Sequence, residues 1–180
     1  MSILNSAQFV LFEPQPVHSK SLDALAASSR GRVIPVKKAV GAEDGSLLFD
    51  ISDPFGGGPA TGSENALQVE QTTLDSTVTG LQLEEPFLLK LDTHGFEKSI
   101  LQGGDLTLTR CTVLVIEAYN YRIARESLLF WELCAFLAER GFRPIDLVDL
   151  MHRKYDNSLW QMDLFFIRSS WEGFNHVTYT

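Results

Sequence analysis

With 180 residues, 44% of them hydrophobic and 11% aromatic, the chain is long enough for one domain with a real core and too apolar to be disordered. Its formal net charge of -8 repels phosphate backbones, and Lys37-Lys38 and Arg153-Lys154 are isolated basic pairs, so nucleic acid is not an expected partner. Cys111 and Cys134 fall in apolar surroundings without metal spacing, no apolar run reaches the length of a membrane span and no secretory leader is visible; the expectation is a cytoplasmic protein with reduced thiols and no membrane contact.

Phe9 to Phe12 is a brief apolar run closed by Glu13-Pro14, where the proline stops any ladder and holds Glu13 extended. An acid at the carboxyl end of a second strand is where dinucleotide-type folds hold a ribose hydroxyl; a solvated loop carboxylate is the commoner fate of a single glutamate. From Val17 to Ser29, the spacing of Leu22, Leu25 and Ala26 predicts an amphipathic helix ending near Arg30-Gly31. Arg32 to Val40 alternates and reads as a strand, Glu43-Asp44-Gly45 as a hairpin turn, and Ser46 to Ile51 as the partner strand. Residues 53–65 are a Gly/Pro-rich flexible loop, read as a mobile surface loop or lid; its glycines lack the Gly-Lys-Ser/Thr ending of a phosphate loop. Leu67 to Leu74 reads as a strand, and 76–85 as a connector with a short helical turn.

Pro86 to Gly104 is the stretch that organises the chain. Phe87 to Leu91 predicts a strand buried on both faces of a parallel sheet, and Asp92 stands at its carboxyl end, where open α/β sheets bind ligands. Gly95 permits a tight turn into a helix that runs to Gln102, with Phe96, Ile100 and Leu101 on one face, and Gly103-Gly104 ends it. Asp92 and His94 thus share a loop above the sheet, with Glu97 in the first helical turn. Asp92 either serves a ligand or caps the helix, and Glu97 either joins it or complements the helix dipole. Thr112 to Ile116 is a second apolar strand ending in an acid, Glu117, so two core strands point carboxylates at one sheet edge. Asp92, His94 and Glu117 could form a metal set, but nothing in the pattern requires a metal, and none is expected. Glu126 to Arg140 reads as a helix with Leu129, Leu133, Phe136 and Leu137 buried. Phe142 to Leu150 and Leu159 to Ile167 are the last strands, joined as a hairpin, with Asp163 facing solvent or an inward partner.

Seven segments in order resemble the FkbM family of S-adenosylmethionine-dependent methyltransferases: Phe-Glu-Pro at 12–14, Ala-Val-Gly at 39–41, Thr-Leu-Asp at 73–75, Leu-Lys-Leu-Asp-Thr-His-Gly-Phe-Glu at 89–97, Ile-Glu at 116–117, Leu-Phe-Trp-Glu at 129–132 and Gln-Met-Asp-Leu-Phe-Phe at 161–166. The resemblance implies a single α/β domain over 1–180, a Rossmann-like and mostly parallel sheet with a C-terminal antiparallel hairpin, and methyl transfer from S-adenosylmethionine to the hydroxyl of a small-molecule acceptor, often a sugar or natural product. It places Glu13 at the donor's ribose and Asp92 beside donor and acceptor; His94 stands where the family usually carries Gln or Glu, which leaves its role open, and it or Asp92 could accept the hydroxyl proton. Trp131 and Asp163 match family positions to which no function is assigned, and Glu117 and Trp131 are candidate substrate-binding residues. The family's first strand, glycine-rich loop and helix have no counterpart in the twelve residues before Glu13, none of which is glycine. A fragment or miscalled start, decay of the site, or a strand supplied by another chain would each account for that. The expectation is weak donor binding or none, with a non-catalytic binding or oligomerising module as the alternative function. The Phe9–Phe12 and Phe87–Leu91 strands would then pair directly, or Met1–Gln8 or a second chain of a homo-oligomer would fill the slot between them.

Overall fold

The computed structural model describes residues 7–54, 56–60 and 65–180. Strand β1 (Phe9–Phe12) pairs in parallel with β2 (Val33–Val36), from Phe9 opposite Val33 to Phe12 opposite Val36. The crossover passes through a 3-10 turn opened by Pro16 and helix α1 (Ser19–Ser28). No residue of α1 is buried and Leu25 is 47% exposed, so the expected apolar stripe lies against the surface rather than in the core.

The predicted strand at Arg32–Val40 breaks at Lys37-Lys38. Its second piece, β3 (Ala39–Val40), joins a different sheet with β4 (Gly45–Asp50), β5 (Gly58–Pro59) and β6 (Ala66–Thr72), ordered β3-β6-β4-β5. The expected hairpin between 32–40 and 46–51 is therefore corrected: β6 inserts between the two, parallel to β3 and antiparallel to β4. Two causes are visible. Leu67 and Val69 of β6 complete a small apolar cluster with Leu47, Phe49 and Ala39. The Asp44 carboxylate, in the expected turn, accepts from Thr72 Oγ1, Thr73 N and Ser76 Oγ and so ties that corner to the end of β6. Of the expected lid, positions 55 and 61–64 lie outside the described residues, while Gly58 and Pro59 pair with Asp50 and Phe49.

Helix α2 (Leu74–Gly80) starts where Thr73 Oγ1 accepts from Ser76 N at 3.0 Å. The third sheet comprises β7 (Phe87–Leu91), β8 (Cys111–Tyr119), β9 (Phe142–His152) and β10 (Leu159–Arg168), ordered β7-β8-β10-β9. Only β7 and β8 run parallel in it; β10 is antiparallel to both β8 and β9. The α/β class and the C-terminal hairpin stand, but among the described residues the single, mostly parallel sheet is three: one two-stranded and parallel, and two of mixed direction. Between β7 and β8 come α3 (Glu97–Gln102) and an unforeseen α4 (Asp105–Arg110), whose start is capped by Asp75 accepting from Leu106 N and Thr107 N. The helix expected from Glu126 begins only at Phe130, as α5 (Phe130–Ala138), because the Glu132 carboxylate accepts from Leu129 N at 2.9 Å and fixes the start there.

The main core gathers Leu101, Leu108, Leu114, Ile116, Leu133, Leu137, Phe142, Leu164 and Phe166 between the third sheet and α3 to α5. Its junctions with the end of β3 and with α2 depend on two glycines. A side chain on Gly103 would run into the carbonyl oxygen of Gly41, and one on Gly104 would meet Leu74 Cδ1 at 2.8 Å.

Strand β7 is not buried on both faces: Leu88 is 65% exposed. Among the described residues it pairs with β8 alone, as β1 pairs with β2 alone, so the expected direct pairing of β1 with β7 does not occur. Phe12 and Val40 reach the main core through their side chains, which holds the backbones apart. Residues of β1 and β7 instead line one cavity of about 910 Å³, and among the described residues no strand lies between them. Met1 to Ser6, most of the expected filler segment, lies outside the described residues. Strands paired on one side only open by local fluctuation, so amide hydrogen exchange in β1 and β7 is expected to be roughly 100-fold faster than in β8 and β10. Equal protection, read by mass spectrometry, would mean that these edges are paired in solution.

Candidate functional site

The carboxyl ends of β7 and β8 bring three of the expected residues together. Asp92 follows β7 directly, and its Oδ2 accepts from Lys90 Nζ at 2.8 Å. That bond holds the Asp92 carboxyl below the ordinary aspartate range, against partial burial. His94 and Gly95 follow with φ of 49° and 101°; the second is a left-handed turn that glycine adopts at no steric cost. A side chain at 95 would also meet Ala124 Cβ at 2.9 Å, so the turn is pressed against the 122–128 loop. The turn lifts His94 over β8, with Nε2 3.5 Å from Glu117 Oε2. Glu97 does not join the group. It is buried, and its Oε1 accepts from Gly95 N at 2.9 Å and Thr93 Oγ1 at 3.2 Å, which fastens the loop to the start of α3.

Glu117 departs from expectation in one respect. It sits inside β8, two residues before the strand ends, and opposite Asp163 of β10. Being nearly buried, it needs partners for both oxygens: Oε2 accepts from the Tyr119 hydroxyl and Oε1 from Gln161 Nε2. Burial pushes its carboxyl above the ordinary glutamate range; the Tyr119 bond opposes this and the nearby Asp92 carboxylate adds to it. Burial and the Glu117 acceptor together push the Tyr119 phenol upward. Side-chain ligand atoms of Asp92, His94 and Glu117 all lie within 4.8 Å of one another, close enough to hold one cation between them.

Asp92, Thr93 and His94 line the 910 Å³ cavity, and so does Glu13, at the carboxyl end of β1. Glu13 also has a local task, since its Oε1 accepts from Gln15 N at 2.8 Å. Trp131 stands apart, 49% exposed in the first turn of α5 and edge-on to Phe130, and it is not among the residues lining that cavity. Tyr119, Gln161 and Trp160 were not expected at the site. Tyr119 lies edge-on to His94 at 6.5 Å and to Trp160 at 6.2 Å, and Tyr121 stacks on Trp160 at 5.2 Å. Their signal was alternation: positions 117 and 119 share one face of β8, and Gln161 of β10 is paired with Tyr119.

The family model described as Methyltransferase FkbM domain matches residues 3–144. The hexuronic acid methyltransferase AglP of Haloferax volcanii is 23% identical over 114 residues, which make up 63% of this chain and 48% of AglP. The chain thus spans about half the length of the curated relative it matches. A crystal structure of methyltransferase FkbM from Methylobacillus flagellatus KT is similar in fold, with a TM-score of 0.52 at 13% identity over 87% of this chain and 36% of that one. Among the described residues, no helix is long and apolar enough to cross a membrane.

The raised Glu117 carboxyl makes a pH prediction. Folded protein holds that proton more tightly than the unfolded chain, so the group's contribution to stability is complete below the ordinary glutamate value and is lost as pH rises through the raised one. Asp92, with its carboxyl lowered, acts in the opposite sense and loses its contribution as pH falls. Glu117→Gln is therefore expected to remove part of the wild-type fall in Tm with rising pH, leaving the variant roughly 2–5 °C less pH-sensitive. Identical slopes in thermal melts across that range would show that Glu117 does not carry the effect.

Proposed function

The chain belongs to the FkbM methyltransferase family, matched over residues 3–144, and from that premise we propose that it is an S-adenosylmethionine-dependent O-methyltransferase acting on a hydroxyl of a sugar or natural product. The observation that carries the reading is the convergence of Asp92, His94 and Glu117 at the carboxyl ends of β7 and β8, beside a cavity that Glu13 also lines. A sugar acceptor draws on the likeness to AglP, a hexuronic acid methyltransferase.

The cavity suits such a donor in size and in polarity. Its volume of about 910 Å³ falls within the roughly 300–1,000 Å³ of small-molecule sites. Its lining includes Gln15, whose buried Oε1 has no donor among the described residues. When bound, S-adenosylmethionine supplies an electrophilic methyl group. The Glu13 carboxylate accepts from ribose hydroxyls with the capacity left beyond Gln15 N. Asp92, kept ionised by Lys90, orients the acceptor hydroxyl. His94 turns Nε2 toward Glu117, which leaves Nδ1 to accept the hydroxyl proton. The carboxylates of Asp92 and Glu117 then stabilise the imidazolium. Trp131 is exposed but lies outside the lining of the cavity, so this reading gives it no contact there.

Incubation with S-adenosylmethionine and hexuronic acid glycosides is expected to release S-adenosylhomocysteine and a singly methylated sugar, read by mass spectrometry. His94→Gln is expected to lower turnover roughly 100-fold with its circular dichroism unchanged. Wild-type turnover in the variant would remove His94 from proton transfer. A second reading, a binding or oligomerising module, is favoured by the single-sided pairing of β1 and β7. Concentration-dependent dimers in sedimentation, without any methyl transfer, would support it.

A further inference from the structure

Asp92, His94 and Glu117 bring an imidazole and two carboxylates from two strand ends to one point. The spacing of His94 and Glu117 decides what can lie between them. Nε2 and Oε2 are 3.5 Å apart, beyond the roughly 2.7–3.2 Å of an N–H···O hydrogen bond. A tetrahedral cation with bonds of ~2.1 Å to nitrogen and oxygen holds those two atoms about 3.4 Å apart. The separation therefore suits an ion between the groups better than a proton. The surroundings are those of a ligand set. Lys90 takes one oxygen of Asp92, Oδ2, and leaves the other. Tyr119 and Gln161 donate to the two oxygens of Glu117, each of which keeps a second lone pair. In metal sites such supporting bonds orient the ligating carboxylates. Two carboxylates this close also repel each other, and a dication between them removes the repulsion. Asp92 and His94 line the cavity, which gives an ion its way in.

We propose that this chain binds one divalent transition cation of the zinc type, held by His94 through Nε2 and by one oxygen each from Asp92 and Glu117. One nitrogen and two oxygens from the protein suit zinc, whereas magnesium and calcium take oxygen ligands. The site stands on these three side chains; its effect on turnover rests on the methyl-transfer reading above. A cation on Nε2 leaves neutral His94 with its proton on Nδ1, the nitrogen that accepts the hydroxyl proton in that reading. The ion and the reaction therefore compete for one imidazole, and zinc acts as an inhibitor.

Calorimetric titration of the full chain with zinc chloride, and separately with magnesium chloride, tests the site without any methyl transfer. A single zinc per chain is expected, with magnesium bound at least roughly 100-fold more weakly. Asp92→Asn and His94→Gln, checked for fold by circular dichroism, should each weaken zinc by more than the roughly 10–100-fold typical of losing a supporting residue. X-ray absorption at the zinc edge should show nitrogen and oxygen neighbours only, with an imidazole among them. No zinc binding, equal affinity for magnesium, sulfur among the neighbours, or affinity unchanged in either variant would overturn the site. In the methyl-transfer assay zinc should inhibit, and a chelator should restore turnover; turnover stimulated by zinc would overturn the competition for His94. If no acceptor is methylated, the methyltransferase reading fails, and the calorimetry still decides the site.

Discussion

A carboxylate in the most buried strand of the protein is the constraint that shapes the site. β8 is flanked by β7 and β10, and every residue from Leu114 to Tyr119 is buried. Glu117 cannot keep water around both oxygens there, so the fold must supply donors in its place. Tyr119 comes from the same strand face and Gln161 from the neighbouring strand, which fixes the pairing of β10 with β8 at that point. His94 completes the arrangement from above, on a turn that Gly95 permits. The chemistry at the sheet edge and the register of the sheet are thus one requirement. A slip of β10 by a single residue would turn Gln161 to the other face and strand the carboxylate.

The cavity between β1 and β7 follows from the same economy of packing. The side chains of Phe12 and Val40 go to the main core, while the small cluster of Ala39, Phe49 and Val69 serves the second sheet. Neither cluster demands that β1 and β7 touch. The polar residues Glu13, Asp92 and His94 gather where these apolar obligations end.

Much of this was legible in the sequence. Strands β7, β8, β9 and β10 announced themselves through apolar runs, and Asp92 and His94 through their position between a strand and a glycine turn. Other features depended on contacts that local patterns do not encode. The pairing of β6 between β3 and β4 rests on Asp44 bonding across 28 or more residues to Thr72, Thr73 and Ser76. Leu88 looked like core because a run of apolar residues gives no sign of which edge lacks a neighbour. Helix α1 has the right period, yet its apolar residues find little to cover. Gln15 carried no signal, since an amide becomes informative only when burial removes its water, and Gln161 became legible only once the pairing of β10 with β8 was known.

The paired glycines at the end of α3 differ in what their surroundings tolerate. Gly104 faces the side chain of Leu74, and a smaller residue at 74 would make room for an added methyl group. Gly103 faces the backbone carbonyl of Gly41, which no change of residue type can shrink. Under neutral drift the two positions should therefore part company: 104 varying in concert with 74, and 103 remaining glycine for as long as the junction keeps its shape.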